Sequence, residues 1–98
     1  MKLITPNEME ITGKWLMSQG RAVADENCQR ITDLISSYLI ELGRDSSGWD
    51  AIYRDPGDGR LWELIYPQGE LQGGGPPKLR CLSADEAKRK YGNVASVS

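Results

Sequence analysis

The sequence contains no histidine among its 98 residues. This absence removes the usual general base and the commonest metal-binding side chain of proteins. An acid–base catalyst would have to be an aspartate, glutamate, lysine, tyrosine or cysteine. We therefore expect no metal site, no cofactor and no catalytic residue, unless neighbouring groups shift the pKa of a carboxyl group strongly.

Cysteine is almost as scarce, since only Cys28 and Cys81 occur. The two residues lie far apart and form no C-x-x-C pattern, which is the spacing of many zinc and redox sites. Two reduced, partly buried thiols are the favoured interpretation. A disulfide between them remains open from the sequence.

Long apolar runs and an excess of basic residues are also absent. The N-terminus lacks the apolar core of a signal peptide because Pro6, Asn7, Glu8 and Glu10 interrupt it. No apolar run approaches the roughly 20 residues that cross a membrane. A net charge of −2 argues against nucleic acid as the main partner, since phosphate binding normally uses a basic patch, and it suits a basic protein partner. The sequence thus predicts a cytoplasmic protein whose partner is neither nucleic acid nor membrane.

The length fits one domain with a single core. We predict an α+β fold, in which one long and one short helix pack on an antiparallel β-sheet. The domain covers residues 1–98, with an extended lead-in at 1–11 and a frayed tail at 93–98. Residues 14–18 and 21–24 are expected to form a small hairpin with Gln19 and Gly20 at its tip, since glycine tolerates the positive φ of a tight turn.

The long helix is predicted by its cap and its apolar spacing. Asp25 is the expected N-cap, followed by Glu26 at the positive end of the helix dipole. One face carries apolar residues at helical spacing, namely Cys28, Ile31, Leu34, Ile35, Tyr38, Leu39 and Leu42. Gly43 follows the last of them, in the position of a C′ glycine. The helix is therefore expected to run to residue 42.

The short helix is predicted over residues 84–91. Ser83 and Glu86 have the spacing of a capping box, and Gly92 can end the helix. The positive charges at 88–90 lie in the last turn, where they complement the helix dipole. The residues expected to face the core are Ala84, Ala87 and Tyr91.

The centre of the chain predicts a second hairpin over residues 49–66. Two apolar runs flank a turn of Asp, Pro and Gly at 55–59. The return run is apolar on both sides, which is typical of a central strand or one covered on both faces. Glu63 lies within this run, and a buried carboxylate needs a partner. A further strand is predicted over residues 78–82.

Glu63 is also the best candidate for catalysis. As a general base it would need a second group, and Asp50, Asp55 or Arg60 could lie near it across the hairpin. The alternative is that Glu63 pairs with an arginine or a tyrosine hydroxyl and anchors the sheet. We favour the structural role, because a lone carboxylate without a convergent partner is a weak indication of catalysis.

Two glycine-containing stretches superficially suggest ligand-binding loops. The turn at 55–59 lacks the D-x-[DN]-x-[DN]-G spacing of a calcium loop. The glycines at 73–75 are not followed by Gly-Lys-Ser/Thr, as in a phosphate-binding loop. We interpret the first as a turn and the second, with Pro76 and Pro77, as a shaped surface loop.

Nucleic-acid binding through stacked aromatic rings is a third possibility. The available rings are Trp15, Trp49, Tyr53, Trp62 and Tyr66. Stacking platforms carry basic residues beside the rings, whereas the central hairpin region has five carboxylates against Arg54 and Arg60. Core packing is therefore the favoured role of the rings.

The central region resembles the immunity protein 27 family. The residues that carry the resemblance are Gly48-Trp49, Asp55-Pro56, Asp58-Gly59-Arg60, Trp62-Glu63-Leu64, Tyr66-Pro67 and Gly73 to Pro77. The resemblance extends over most of the chain, from Thr12-Gly13-Lys14-Trp15 through Cys28-Gln29-Arg30-Ile31 to Ala87-Lys88-Arg89-Lys90-Tyr91.

The resemblance implies a bacterial protein that neutralises a toxin and is expressed in the cytosol beside a secreted polymorphic toxin. Its partner would be the C-terminal domain of that toxin, which it would block without performing chemistry. The candidate contacts are acidic residues and aromatic anchors, namely Trp49, Asp50, Tyr53, Asp55, Asp58, Glu63 and Glu70. The activity of the toxin, the face that binds it and the oligomeric state stay open.

Overall fold

The computed structural model describes residues 2–68 and 75–92. Along the chain these residues form β1 (Glu10–Thr12), β2 (Trp15–Ser18), β3 (Arg21–Ala24), α1 (Glu26–Ser37), β4 (Ile40–Arg44), β5 (Ala51–Arg54), β6 (Leu61–Ile65), β7 (Lys78–Leu82) and α2 (Ala84–Tyr91). Five strands build one sheet in the order β1-β7-β6-β5-β4, and β2 and β3 form a separate two-stranded sheet. All pairings are antiparallel, so the predicted α+β fold is confirmed.

The five-stranded sheet carries one helix on each face. Successive side chains of a strand point to opposite faces, and β6, the central strand, therefore contributes Trp62 and Leu64 to one core and Leu61 to the other. The larger core, against α1, contains Ile11, Ile31, Leu34, Leu39, Ala51, Tyr53, Trp62, Leu64 and Leu79. The smaller core, against α2, contains Ile52, Leu82, Ala87 and Tyr91. The expectation that the return strand is covered on both faces is confirmed.

The long helix begins as predicted but ends earlier. The Asp25 side chain accepts a hydrogen bond from the Cys28 N–H at 2.9 Å, which confirms the N-cap. The helix ends at Ser37 with Tyr38 as C-cap, so the predicted end at residue 42, with Gly43 as C′ glycine, is wrong. Residues 40–44 instead form the edge strand β4, since their backbone groups gain partners along β5.

The helix ends before the predicted residue because the apolar residues that follow it fit two periodicities. Leu42 continues the helical stripe, but alternate residues of 40–44 also suit a strand. In the structure Leu42 packs on the α2 side of the sheet. The β4–β5 register shifts between Glu41 and Gly43, so Gly43 lies at an irregularity of the sheet and not at a helix terminus.

Part of the predicted lead-in belongs to the sheet. Glu10 and Ile11 pair with β7, and Ile11 is buried in the larger core. Arg60 holds the preceding residues, donating to the carbonyls of Glu8 at 2.7 Å and Thr5 at 2.9 Å. The predicted frayed tail at 93–98 lies outside the described residues.

The other local predictions are largely confirmed. The β2–β3 turn places Gln19 at φ 53° and Gly20 at φ 77°, as expected for a hairpin tip. The helix α2 has the predicted bounds, and both hydrogen bonds of its capping box form. Ala84 is exposed, contrary to prediction, whereas the other two residues expected to face the core are buried. Cys28 and Cys81 are free thiols, which decides against a disulfide.

Candidate functional site

Glu63 is a carboxylate buried at the centre of the sheet, with 1% of the residue exposed. Its Oε1 accepts a hydrogen bond from Arg80 Nε at 2.8 Å. Its Oε2 accepts one from the Tyr91 hydroxyl at 2.7 Å and lies 2.5 Å from Lys90 Nζ. The predicted pairing with an arginine or a tyrosine hydroxyl is confirmed, since both partners are present, and Lys90 adds a second cation.

These contacts keep Glu63 ionised. Burial alone would raise the pKa of the Glu63 carboxyl, but the hydrogen bonds from Lys90, Tyr91 and Arg80 outweigh it and hold the pKa below its ordinary value. Burial, together with the hydrogen bond to Glu63, raises the pKa of Tyr91. A carboxylate of lowered pKa whose oxygens are already engaged is poorly suited to accept a proton from a substrate.

The groups expected to join Glu63 in catalysis do not assemble around it. Only Asp50 is linked to it, because Lys90 Nζ also lies 2.7 Å from Asp50 Oδ2. Asp55 and Arg60 make their contacts elsewhere, with Tyr38 and with Asp58. The arrangement is an ion-pair network that fastens α2 to β6 and β7. Among residues 2–68 and 75–92, no group of three or more cysteine or acidic side chains could hold a metal ion.

Two other candidate contacts are directed inward. Asp55 is buried and accepts hydrogen bonds from the Tyr38 hydroxyl and the Gly57 N–H, both at 2.7 Å. It thereby joins the end of α1 to the β5–β6 turn. Tyr53 is buried in the larger core, and this burial, with the nearby Glu41 carboxylate, raises its pKa to about 12. In this conformation both side chains are covered by the protein itself, so neither can contact a binding partner.

The exposed candidates do not form one patch. Trp49 is 62% exposed and meets Tyr66 edge-on, with ring centroids 6.1 Å apart. The half-buried Asp50 lies beside it at the start of β5, whereas the exposed Asp58 lies in the turn beyond the other end of that strand. Four extended residues separate the two ends by about 13 Å. Glu70 lies outside the described residues.

The aromatic residues likewise do not make a stacking platform. Trp62 and Tyr53 are buried in the larger core, so their faces are covered by protein. The exposed rings of Trp15 and Trp49 belong to different parts of the chain, β2 and the loop before β5. Core packing, the role favoured from the sequence, holds for the two buried rings.

Within the described residues, the most exposed apolar surface lies outside the contact candidates predicted from the sequence. It is the β2–β3 hairpin, residues 15–24, in which every residue of both strands is exposed. Its exposed large apolar side chains are Trp15, Leu16, Met17 and Val23. The signal was present in the sequence, because three consecutive apolar residues in a strand place apolar groups on both faces. Elsewhere, neither described helix is long and apolar enough to cross a membrane.

Comparison with known proteins identifies one family. The family model described as Immunity protein 27 matches residues 17–83, about two thirds of the chain, from within β2 to the cap of α2. No curated protein and no solved structure matches the chain.

Proposed function

The chain belongs to the Immunity protein 27 family, and from that premise we propose that it binds and neutralises the C-terminal toxin domain of a cognate secreted polymorphic toxin. The neutralisation is a protein–protein contact that takes place in the cytoplasm of the producing cell. It protects that cell in competition between bacteria, including competition by contact-dependent inhibition. The contact involves no nucleic acid and no membrane.

The observation that carries the proposal is the family match over residues 17–83. The matched segment contains the central strands and the Trp62-Glu63-Leu64 motif. Surface properties support a binding role, since the hairpin at 15–24 clusters the exposed side chains of Leu16, Met17 and Val23, and such clusters are typical of protein interaction sites. The exposed Asp58 and the half-buried Asp50 remain candidate contacts, with Trp49 as an aromatic anchor.

The two rival functions have less support. An enzyme using Glu63 as base would need a carboxylate with space beside it, whereas Arg80, Lys90 and Tyr91 occupy both oxygens. A nucleic-acid platform would need open rings beside basic residues, whereas Trp62 is fully buried and the net charge is −2.

The test is co-expression with the toxin domain encoded immediately upstream of this chain. We expect the two proteins to elute as one complex at micromolar concentration and cells to survive toxin expression only when this chain is present. A toxin domain from an unrelated system serves as the specificity control and should neither bind nor be neutralised. Failure of the cognate pair to form a complex, or survival without this chain, would contradict the proposal.

A further inference from the structure

We infer that the β2–β3 hairpin, residues 15–24, is the arm that docks on the toxin domain, entering an apolar cleft that has an acidic group at its end. The inference rests on the proposed function and specifies the surface through which it acts. It is carried by the exposure of the hairpin, the way its base is anchored and its charge.

The hairpin is apolar on both faces. Leu16 pairs with Val23 across the strands, and these two side chains, 54% and 47% exposed, share one face. Trp15 and Met17 alternate to the other face, where Met17 is 74% exposed. Both faces thus leave apolar surface in water. Because apolar surface stabilises a protein only when it is removed from water, these side chains stabilise neither the hairpin nor the domain.

The base of the hairpin is well anchored. The Asp25 N–H donates to the Lys14 carbonyl at 3.0 Å, and the Gly13 N–H donates to the Pro77 carbonyl at 2.9 Å. A side chain at Gly13 would lie 2.7 Å from both Cys28 Sγ and the Pro77 carbonyl, so the chain passes close to its neighbours there. An anchored base and uncovered strands make the hairpin a pre-formed projecting ribbon, which loses less conformational entropy on binding than a flexible loop.

A cleft fits this ribbon better than a second copy of the chain. Edge-to-edge pairing of two hairpins would add hydrogen bonds but leave both apolar faces in water, and face-to-face stacking would cover only one of them. The walls of a cleft cover both. The acidic group at the end of the cleft is inferred from charge, because Arg21, beside the turn, is the sole charged residue between Trp15 and Ala24. Arg21 is exposed, and a guanidinium is suited to bind a carboxylate at the end of the cleft.

The test uses the full chain with the upstream toxin domain, and measures affinity by calorimetry. The triple variant Leu16→Thr, Met17→Thr, Val23→Thr removes apolar surface from both faces while keeping β-branched residues suited to strands. We expect it to bind at least about 100-fold more weakly than the wild type. Arg21→Glu should weaken binding by about 10-fold or more, because it would face an acidic group with a negative charge.

A matched control removes exposed apolar side chains elsewhere. Met9 and Ile40 are 61% and 41% exposed and lie outside the hairpin, so the double variant Met9→Thr, Ile40→Thr should bind within about three-fold of the wild type. Amide hydrogen exchange gives a second measurement: the hairpin amides should become protected in the wild-type complex.

The outcomes separate the inference from the function on which it rests. If the wild type binds and protects cells while the triple variant binds equally well, the hairpin is not the docking arm, although the proposed function stands. If the triple variant only converts a dimer of this chain into monomers and leaves toxin binding unchanged, the hairpin meets a second copy instead. If the wild type itself does not bind the toxin domain, both proposals fail.

Discussion

The β6–α2 contact and the β2–β3 hairpin invert the usual distribution of side chains. At the first, the carboxylate of Glu63 is 1% exposed and lies among Arg80, Lys90 and Tyr91. At the second, Met17 is 74% exposed with apolar neighbours on both strands. Charge is buried where a helix must be held, and apolar surface is open where nothing in the described chain covers it.

The difference separates two kinds of function for a side chain. A buried carboxylate with three partners fixes the orientation of α2 on the sheet. This contribution matters because α2 is short and its apolar contact with the sheet is small. An exposed apolar ribbon gives no stability to the isolated protein, and so suggests a partner. The Glu63 network is therefore assigned to the fold and the hairpin to binding.

The comparison is tested most directly by shortening one leucine in each environment. Leu34 is fully buried in α1, whereas Leu16 is 54% exposed. Leu34→Ala should lower the free energy of unfolding by about 3 kcal/mol, through lost burial and the cavity that remains. Leu16→Ala should change it by less than about 0.5 kcal/mol. Urea denaturation of both variants measures this, and equal losses would show that the hairpin contributes to the stability of the core.

The next largest effect is expected at the buried carboxylate. Glu63→Gln removes the negative charge between Arg80 and Lys90, and should lower the free energy of unfolding by about 2 kcal/mol. The loss is moderate because each cation is 38% exposed and can be hydrated.

The matched control for Glu63→Gln is Glu10→Gln. This substitution breaks the exposed pair with Lys78 and should cost under about 1 kcal/mol. Urea denaturation of the two variants provides the comparison. A Glu63→Gln variant as stable as the wild type would argue against the anchoring role and reopen the search for a function of Glu63.

An acid-dependent loss of stability is expected from a second glutamate. The hydrogen bonds from Arg30 lower the pKa of Glu8 from 4.5 to about 2 in the folded protein. Because the folded pKa is depressed, the stabilisation is complete above pH 4.5 and is lost as the pH falls towards 2. Since Glu8 is 25% exposed, we expect it to contribute about 1–2 kcal/mol at neutral pH.

The measurement is urea denaturation of the wild type and Glu8→Gln across that pH range. The difference in unfolding free energy between them should be largest near neutral pH and should shrink on acidification. A difference independent of pH would mean that the contribution of Glu8 is not that of its ionised form.

The smallest effect is expected at the hairpin tip. Gln19 adopts φ 53° and is followed by Gly20, a position where asparagine fits better than glutamine. Gln19→Asn should therefore raise the free energy of opening of the hairpin, as measured by amide hydrogen exchange, by about 0.5 kcal/mol. The core amides should not change, and a shift in their exchange would show that the hairpin and the core open together.

Local elements could be predicted from the sequence because their signals lie within a few residues. The side chain of Asp25 reaches the N–H of Cys28 three residues on, and Ser83 and Glu86 complete a capping box over the same distance. The positive φ angles at the hairpin tip depend on two adjacent residues. The family could also be recognised, since its motif is a continuous pattern through the central hairpin.

The predictions that are wrong concern residues whose secondary structure or burial depends on a distant part of the chain. Residues 40–44 leave the helical pattern because the edge of β5 offers them hydrogen-bond partners. Burial of Tyr53, Asp55 and Glu63 likewise depends on the elements that pack over them. Sequence pattern alone therefore does not distinguish these three buried residues from exposed contact candidates such as Asp58.

The sequence by itself determined the N-caps of both helices, the turns, the alternation of the central strands and the need of Glu63 for a partner. Each follows from backbone geometry or from the cost of burying a charge. Only the tertiary structure decided where α1 stops, which cations meet Glu63 and which apolar residues remain in water. Those outcomes depend on contacts between elements that are far apart in the sequence and adjacent in the fold. A local sequence pattern does not show which distant elements will meet.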